Sequence, residues 1–135
     1  MLTQSGAGTL KLTGANMYSG NTVITGGTLE IGSAGTLGVG TYGGTISNGG
    51  ALIFNTSSDQ TLTGVISGNG VLTQSGVGTL KLTGANTYSG NTISKGVIRV
   101  SNNSALGSVN SSAWVEVFSG AALELDNVTI GNKEL

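Results

Sequence analysis

The sequence predicts an all-β chain wound as a parallel β-helix, a β-solenoid of about six coils with no regular helix, and three observations carry that expectation. The segment 2–22, LTQSGAGTLKLTGANMYSGNT, recurs at 72–92 as LTQSGVGTLKLTGANTYSGNT; only Ala7/Val77 and Met17/Thr87 differ between the two copies. A short strand pattern, glycine or alanine, a second small or β-branched residue, then apolar, any, apolar, recurs along the chain. Glycine reaches 25 of 135 residues while proline is absent. Proline has no N–H to give to a ladder, so its absence suits a chain in which nearly every segment is hydrogen-bonded on both sides.

In chain order the pattern falls at 8–12 (GTLKL), 27–31 (GTLEI), 50–54 (GALIF), 78–82 (GTLKL), 96–100 (GVIRV) and 121–125 (AALEL). The spacing of these starts is uneven, and it makes the interval between the two long copies three coils. Alternate strand residues point to opposite sides. Leu10, Leu12, Leu29, Ile31, Leu52, Phe54, Leu80, Leu82, Ile98, Val100, Leu123 and Leu125 are therefore the predicted core, with Leu37, Ile46, Leu62, Val65, Leu72, Leu106, Val115, Val117, Val128 and Ile130 as further inward positions. Lys11, Glu30, Lys81, Arg99 and Glu124 point outward, as does Ile53, an apolar exception. Gly- and Asn-rich clusters at 14–16, 19–21, 43–44, 47–50, 68–70, 84–86 and 89–91 supply corners, because both residue types tolerate sharp backbone angles. Six coils at the spacing of neighbouring strands make a rod about 29 Å long.

Composition narrows the function. A chain of 135 residues is one domain's worth, here 1–135 as a single β-helix with its repeat copies at 2–22 and 72–92. Charged residues are 8% of the chain and the net charge is −1, so there is no basic patch for nucleic acid. No apolar stretch approaches the length of a membrane span, and no direct membrane insertion is expected. No basic leader precedes the repeat, and Met1 followed directly by repeat sequence reads as a piece cut from a longer chain, as does the end at Lys133, Glu134 and Leu135. Neither cysteine nor histidine is present, which removes disulfides, thiolate metal sites and Ser-His-Asp chemistry. Stability must come from stacking.

No catalytic, metal or cofactor-binding residues are predicted, and no cofactor. Ser94 and Lys95 are adjacent and so face opposite ways in a strand. Glu116, Glu124 and Asp126 are the candidates for paired carboxylates and read as solvated decoration. The turns lack the recurring Asp of calcium-binding repeats. Glycine runs at 68–70 and 76–78 lack the helix and lysine of a phosphate loop. The sequons at Asn55, Asn102, Asn110 and Asn127 are what a chain rich in Asn, Ser and Thr produces by chance. Aromatics are scarce, so four of them form the candidate contact surface. Tyr18 and Tyr88 hold the same repeat position, expected on one flank three coils apart, where each either stacks on carbohydrate or caps its own corner by packing over the turn; Trp114 and Phe118 share one strand face beside Glu116, as an outward patch or as cover for the last coil.

The segment 8–32, GTLKLTGANMYSGNTVITGGTLEIG, closely resembles the autotransporter-associated β-strand repeat of bacterial autotransporter passenger regions, in the GTL-x-L-T-G strand and corner, the Asn-x-Tyr-Ser-Gly turn and the following Thr-Gly-Gly-Thr-Leu strand. A second copy spans 78–100, where Asn86, Tyr88, Ser89 and Gly90 match while Lys95, Gly96 and Val97 replace Gly-Gly-Thr. The resemblance implies a right-handed helix in a protein exported to the bacterial cell surface, tethered at the outer membrane in its parent, where it serves as a non-catalytic stalk that supports passenger folding and secretion. Its expected partners are the neighbouring coils of the parent chain. Further partners to be weighed are a host glycan or protein at the exposed aromatics, and the chain itself, stacked end to end through unpaired strand edges.

Overall fold

A computed structural model describes residues 1–108 and 113–131. Asn110, Lys133, Glu134 and Leu135, which entered the sequence reading, lie outside the described residues. The strand pairing is parallel, and the strands climb as about six coils around three faces. The first coil runs through β1 (Leu2–Gln4), β2 (Thr9–Leu12) and β3 (Ala15–Asn16), and the second through β4 (Thr22–Ile24), β5 (Thr28–Ser33), β6 (Thr36–Leu37) and β7 (Thr41–Tyr42). The third holds β8 (Ile46–Asn48), β9 (Ala51–Thr56) and β10 (Gln60–Leu62); the fourth holds β11 (Ile66–Ser67), β12 (Val71–Gln74) and β13 (Thr79–Leu82). β14 (Thr92–Ser94) and β15 (Val97–Val100) belong to the fifth, β16 (Val115–Val117) and β17 (Ala122–Leu125) to the sixth.

The first face stacks β1, β4, β8 and β11; the second stacks β2, β5, β9, β12, β14 and β16; the third stacks β7, β10, β13, β15 and β17, and β3 and β6 form a separate parallel pair before it. Because the register never slips, like side chains form columns: Leu10, Leu29, Leu52 and Leu72 line up on the second face, and Leu62, Leu82 and Val100 on the third. A slip by a single position would turn these columns to solvent, which is why the alternation fixes the pairing.

Leu29, Ile31, Leu52, Phe54, Leu80, Leu82, Ile98 and Val100 are all buried. The remaining predicted core residues sit on the end coils, where one stacking neighbour is missing: Leu10, Leu12 and Leu123 are half-buried and Leu125 is 51% exposed. Leu37, Ile46, Leu62, Leu72, Leu106 and Val115 are buried too, and Val128 and Ile130 pack partly buried against the core. Two expected inward positions are corrected: Val65 lies at an exposed corner, and Val117 is exposed on the outermost strand of the second face. Outward Ile53 is half-buried between Glu30 and Thr73 in the register.

The expected equivalence of the six strand patterns is corrected by the pairing. The patterns at 8–12, 27–31 and 50–54 occupy the second face as β2, β5 and β9, but those at 78–82, 96–100 and 121–125 occupy the third as β13, β15 and β17. On the second face the fourth rung is β12, whose Leu72 stacks on Leu52, Leu29 and Leu10. The second repeat copy thus lies three coils and one face beyond the first. Tyr18 and Tyr88 consequently do not share a flank.

The second coil is longer than the first: Thr22 stacks under Ile46, a greater step along the chain than the one from Leu2 to its partner Thr22. The extra chain is taken up by the turn Gly38–Gly40, in which Gly38, Val39 and Gly40 all have positive φ. Gln60 fills the gap this leaves. Its buried side chain accepts from Leu37 N–H at 2.7 Å and donates to Leu37 O at 3.1 Å, standing in for a missing stretch of ladder.

Candidate functional site

The residues that the repeat keeps in both copies form a fastening set at the corners, buried in the second copy and, apart from Thr22, half-buried in the first. Gln4 Nε2 donates to the carbonyls of Gly6 and Gly8, and Gln74 Nε2 makes the same pair of bonds to Gly76 and Gly78. Asn16 Nδ2 reaches up to Thr36 O, while Asn86 accepts from Ile66 N–H below and donates to Ala105 O above. The Tyr18 hydroxyl meets Thr22 Oγ1 at 3.0 Å, and the Tyr88 hydroxyl meets Thr92 Oγ1 at 2.6 Å. These polar groups find their partners at corners, where turning the chain leaves backbone groups outside the ladder. Gln, Asn and Thr were missed as a set in the sequence reading, although their identity in both copies was the signal that marks them.

Tyr88 is completely buried, and burial pushes its hydroxyl up to about 12, so it offers no face to a partner and is removed from the contact surface. Tyr18 is half-buried, its hydroxyl pushed up to about 12 by the same cause, and its ring packs edge-on against Tyr42 at 5.5 Å. The Tyr42 hydroxyl in turn reaches Thr22 Oγ1 and the Gly20 carbonyl. Both repeat tyrosines therefore brace corners. Trp114 and Phe118 do stand outside, 38% and 41% exposed, flanking β16 on the second face, with the Lys95 ammonium 5.2 Å above the Phe118 ring.

The other candidate groups do not assemble into reactive clusters. Ser94 is buried and donates to Gly96 O at 2.8 Å, while Lys95 faces Phe118. Glu116 is on the second face and Glu124 on the third, where Glu124 binds Arg99 at 2.6 Å and raises that guanidinium further above its ordinary value. Asp126 accepts from Ser101 Oγ, and Asp59 accepts from Thr79 N–H at 2.7 Å. Asp59, Thr61, Thr79, Lys81 and Arg99 line a shallow groove of about 230 Å³ on the third face, in which the Arg99 guanidinium is already paired with Glu124. On the second face Lys11 pairs with Glu30 at 3.0 Å and, by that hydrogen bond, holds the carboxyl below its ordinary range. Of the sequons, Asn55 donates to Glu30 and Asn102 accepts from Ser104 N–H. Among the described residues no group of three His, Cys, Asp or Glu side chains comes together as a metal site, and no helix is long and apolar enough to cross a membrane.

The surface geometry therefore leaves the interior repeat set as the most highly organised feature. Residues 2–31 and 72–100 match the family model of the passenger-associated-transport-repeat. This chain carries that repeat twice. Each match covers one full coil and runs into the next, ending in β5 and β15, so the matched unit includes both a coil and the strands that stack on it. The chain is also similar to an adhesin autotransporter, BmaC, of Brucella suis biovar 1 (strain 1330), with 43% identity over 87 residues. That alignment covers 62% of this chain and 2% of the relative, so the chain spans a small part of that protein's length. No solved structure matches.

Proposed function

We propose that this chain is a rigid β-solenoid spacer in the passenger of a bacterial autotransporter, displayed outside the cell, where it supports passenger folding and secretion without catalysing a reaction. The observation that carries this reading is that the two passenger repeats spend their shared residues inward. Gln4/Gln74, Asn16/Asn86, Tyr18/Tyr88 and Thr22/Thr92 fasten one coil to itself and to the next, while two outward ion pairs, Lys11–Glu30 and Arg99–Glu124, join neighbouring coils. Keeping the inside constant and leaving the outside plain is what a load-carrying rod needs. Excision of this segment from the parent should reduce surface display of the passenger, measured by protease accessibility on intact cells. Normal display, or glycan hydrolysis by the purified chain, would overturn the reading.

A second reading, adhesion, draws on the exposed pair Trp114 and Phe118 and on the adhesin relative. Aromatic side chains on a flat outer sheet stack well on sugar rings or on partner side chains. Binding to a glycan array that disappears in Trp114→Ala would favour it, and a blank array would count against it.

A further inference from the structure

The one-face offset between the two copies has a mechanical meaning. Within each copy the pairing is the same: β1 takes β4 with Leu2 on Thr22, and β12 takes β14 with Leu72 on Thr92, an equal step along the chain in both. The second strands keep the same partners, Leu10 on Leu29 of β5 and Leu80 on Ile98 of β15, with a step one residue shorter in the second copy. Yet the first copy starts on the first face and the second copy starts on the second face. The two positions at which the copies differ, Ala7/Val77 and Met17/Thr87, are exposed in both. The repeat therefore specifies a relation between one coil and the next, and more than one face can receive its first strand.

From this geometry we propose that the unit from Leu2 to Val71 is a register-neutral module of length and rotation, so that gain or loss of one unit leaves every ladder intact. Each added unit would lengthen the rod by three and a third coils, about 16 Å at the strand spacing, and turn everything beyond it by one face, about a third of a revolution. Surface features beyond the repeat, including the Trp114 and Phe118 pair, are then moved along and around the rod in one step. A multivalent partner would meet successive copies as a spiral and not as a row. The closure at each junction follows from native contacts: Leu2 of an added copy would follow Val71 as Leu72 does, and would stack on Leu52 in the same way. The inference uses the pairing alone and holds whether or not the spacer or adhesin reading is correct.

The test is a variant in which the segment 2–71 is duplicated between Val71 and Leu72. The expected result is a cooperatively folded β protein that melts no lower than the parent, with a maximum dimension by small-angle scattering about 16 Å greater. The face is read by cysteine pairing, which is clean because the chain has no cysteine of its own. With Thr3→Cys in the inserted copy, oxidation should link it to Ile53→Cys of the first unit, as Thr73→Cys links to Ile53→Cys in the parent, where those two residues are register partners. It should not link to Ser47→Cys on the first face. A variant that fails to fold or to lengthen overturns the proposal. So does a link to Ser47→Cys, which would mean that the added unit displaces β11 and stacks in whole coils without rotation. Neither result would touch the spacer reading, which is decided by surface display.

Discussion

Leu10 and Leu80 stand in identical sequence, TLKL within GTLKLTGAN, but at different depths in the stack, and alanine at each should separate local sequence from stacking as the source of stability. Leu80 is 1% exposed, with Gln60 and Ile98 as register neighbours on either side. Removing a fully buried leucine side chain costs about 2–5 kcal/mol, the spread reflecting how far the site collapses. Between two strands held on both sides, collapse is restricted, so Leu80→Ala should cost about 3–4 kcal/mol. Leu10 has Leu29 on one side only and is half-buried, so Leu10→Ala should cost roughly half as much, about 1–2 kcal/mol. For a chain of 135 residues each kcal/mol moves the melting point by about 3 to 5 °C, so a difference of about 1–3 kcal/mol should separate the two variants by about 3 to 15 °C. Urea unfolding followed by far-UV circular dichroism measures both, and an unchanged slope certifies that the same cooperative unit is being read. Equal losses within about 0.5 kcal/mol would refute the argument, because burial by the neighbouring coil would then contribute nothing beyond what the repeat does alone.

The glycines should show the same asymmetry more sharply. A Cβ at Gly6 meets nothing within 4 Å, but one at Gly76, the same repeat position, lands on the backbone carbonyl of Thr56 in the coil below. Gly6→Ala should melt within a few degrees of the parent while Gly76→Ala should lose the cooperative transition or melt far lower; equal tolerance would show that the coils are not in contact there. Gln60→Ala removes the side chain that completes the ladder at Leu37, leaving a buried N–H and a C=O without a partner at about 1–3 kcal/mol each, whereas Gln4→Ala at the rod's end should be nearly silent in the same urea experiment. Tyr88 sets an alkaline limit. Its hydroxyl is raised from 10.0 to about 12, so the folded state favours the neutral phenol: the stability it contributes is complete below pH 10 and falls as pH rises from 10 towards 12. Tyr88→Phe should flatten that decline in melting point, and a decline as steep as the parent's would assign it to other groups.

The fold class was legible because its signals are local. Alternating Leu and Ile in GTLKL and GTLEI, turns of Gly and Asn, and the absence of proline each act over a short span, and together they agree on stacked parallel strands. The phase was not legible, because it depends on what each strand lies against. The strand pattern shared by GALIF at 50–54 and GTLKL at 78–82 suggested successive rungs, yet the interval between them is one whole coil plus a step to the next face, with VLTQ of β12 as the true neighbour of β9. VLTQ escapes the strand pattern since its second inward side chain is Gln74, a polar residue whose amide closes the corner at Gly76 and Gly78. The depth of Tyr88 was hidden in the same way. That a tyrosine at this turn packs over its own corner is readable from the repeat; only the coil above, whose Ser108 N–H bonds to the Tyr88 carbonyl, makes it fully interior, while Tyr18 on the first coil stays half open. Interior status in a solenoid is therefore a property of the neighbouring coil as much as of the residue. Two copies of one sequence can differ in exposure, in the cost of the same substitution and in the direction they face, while each keeps the same contacts within itself.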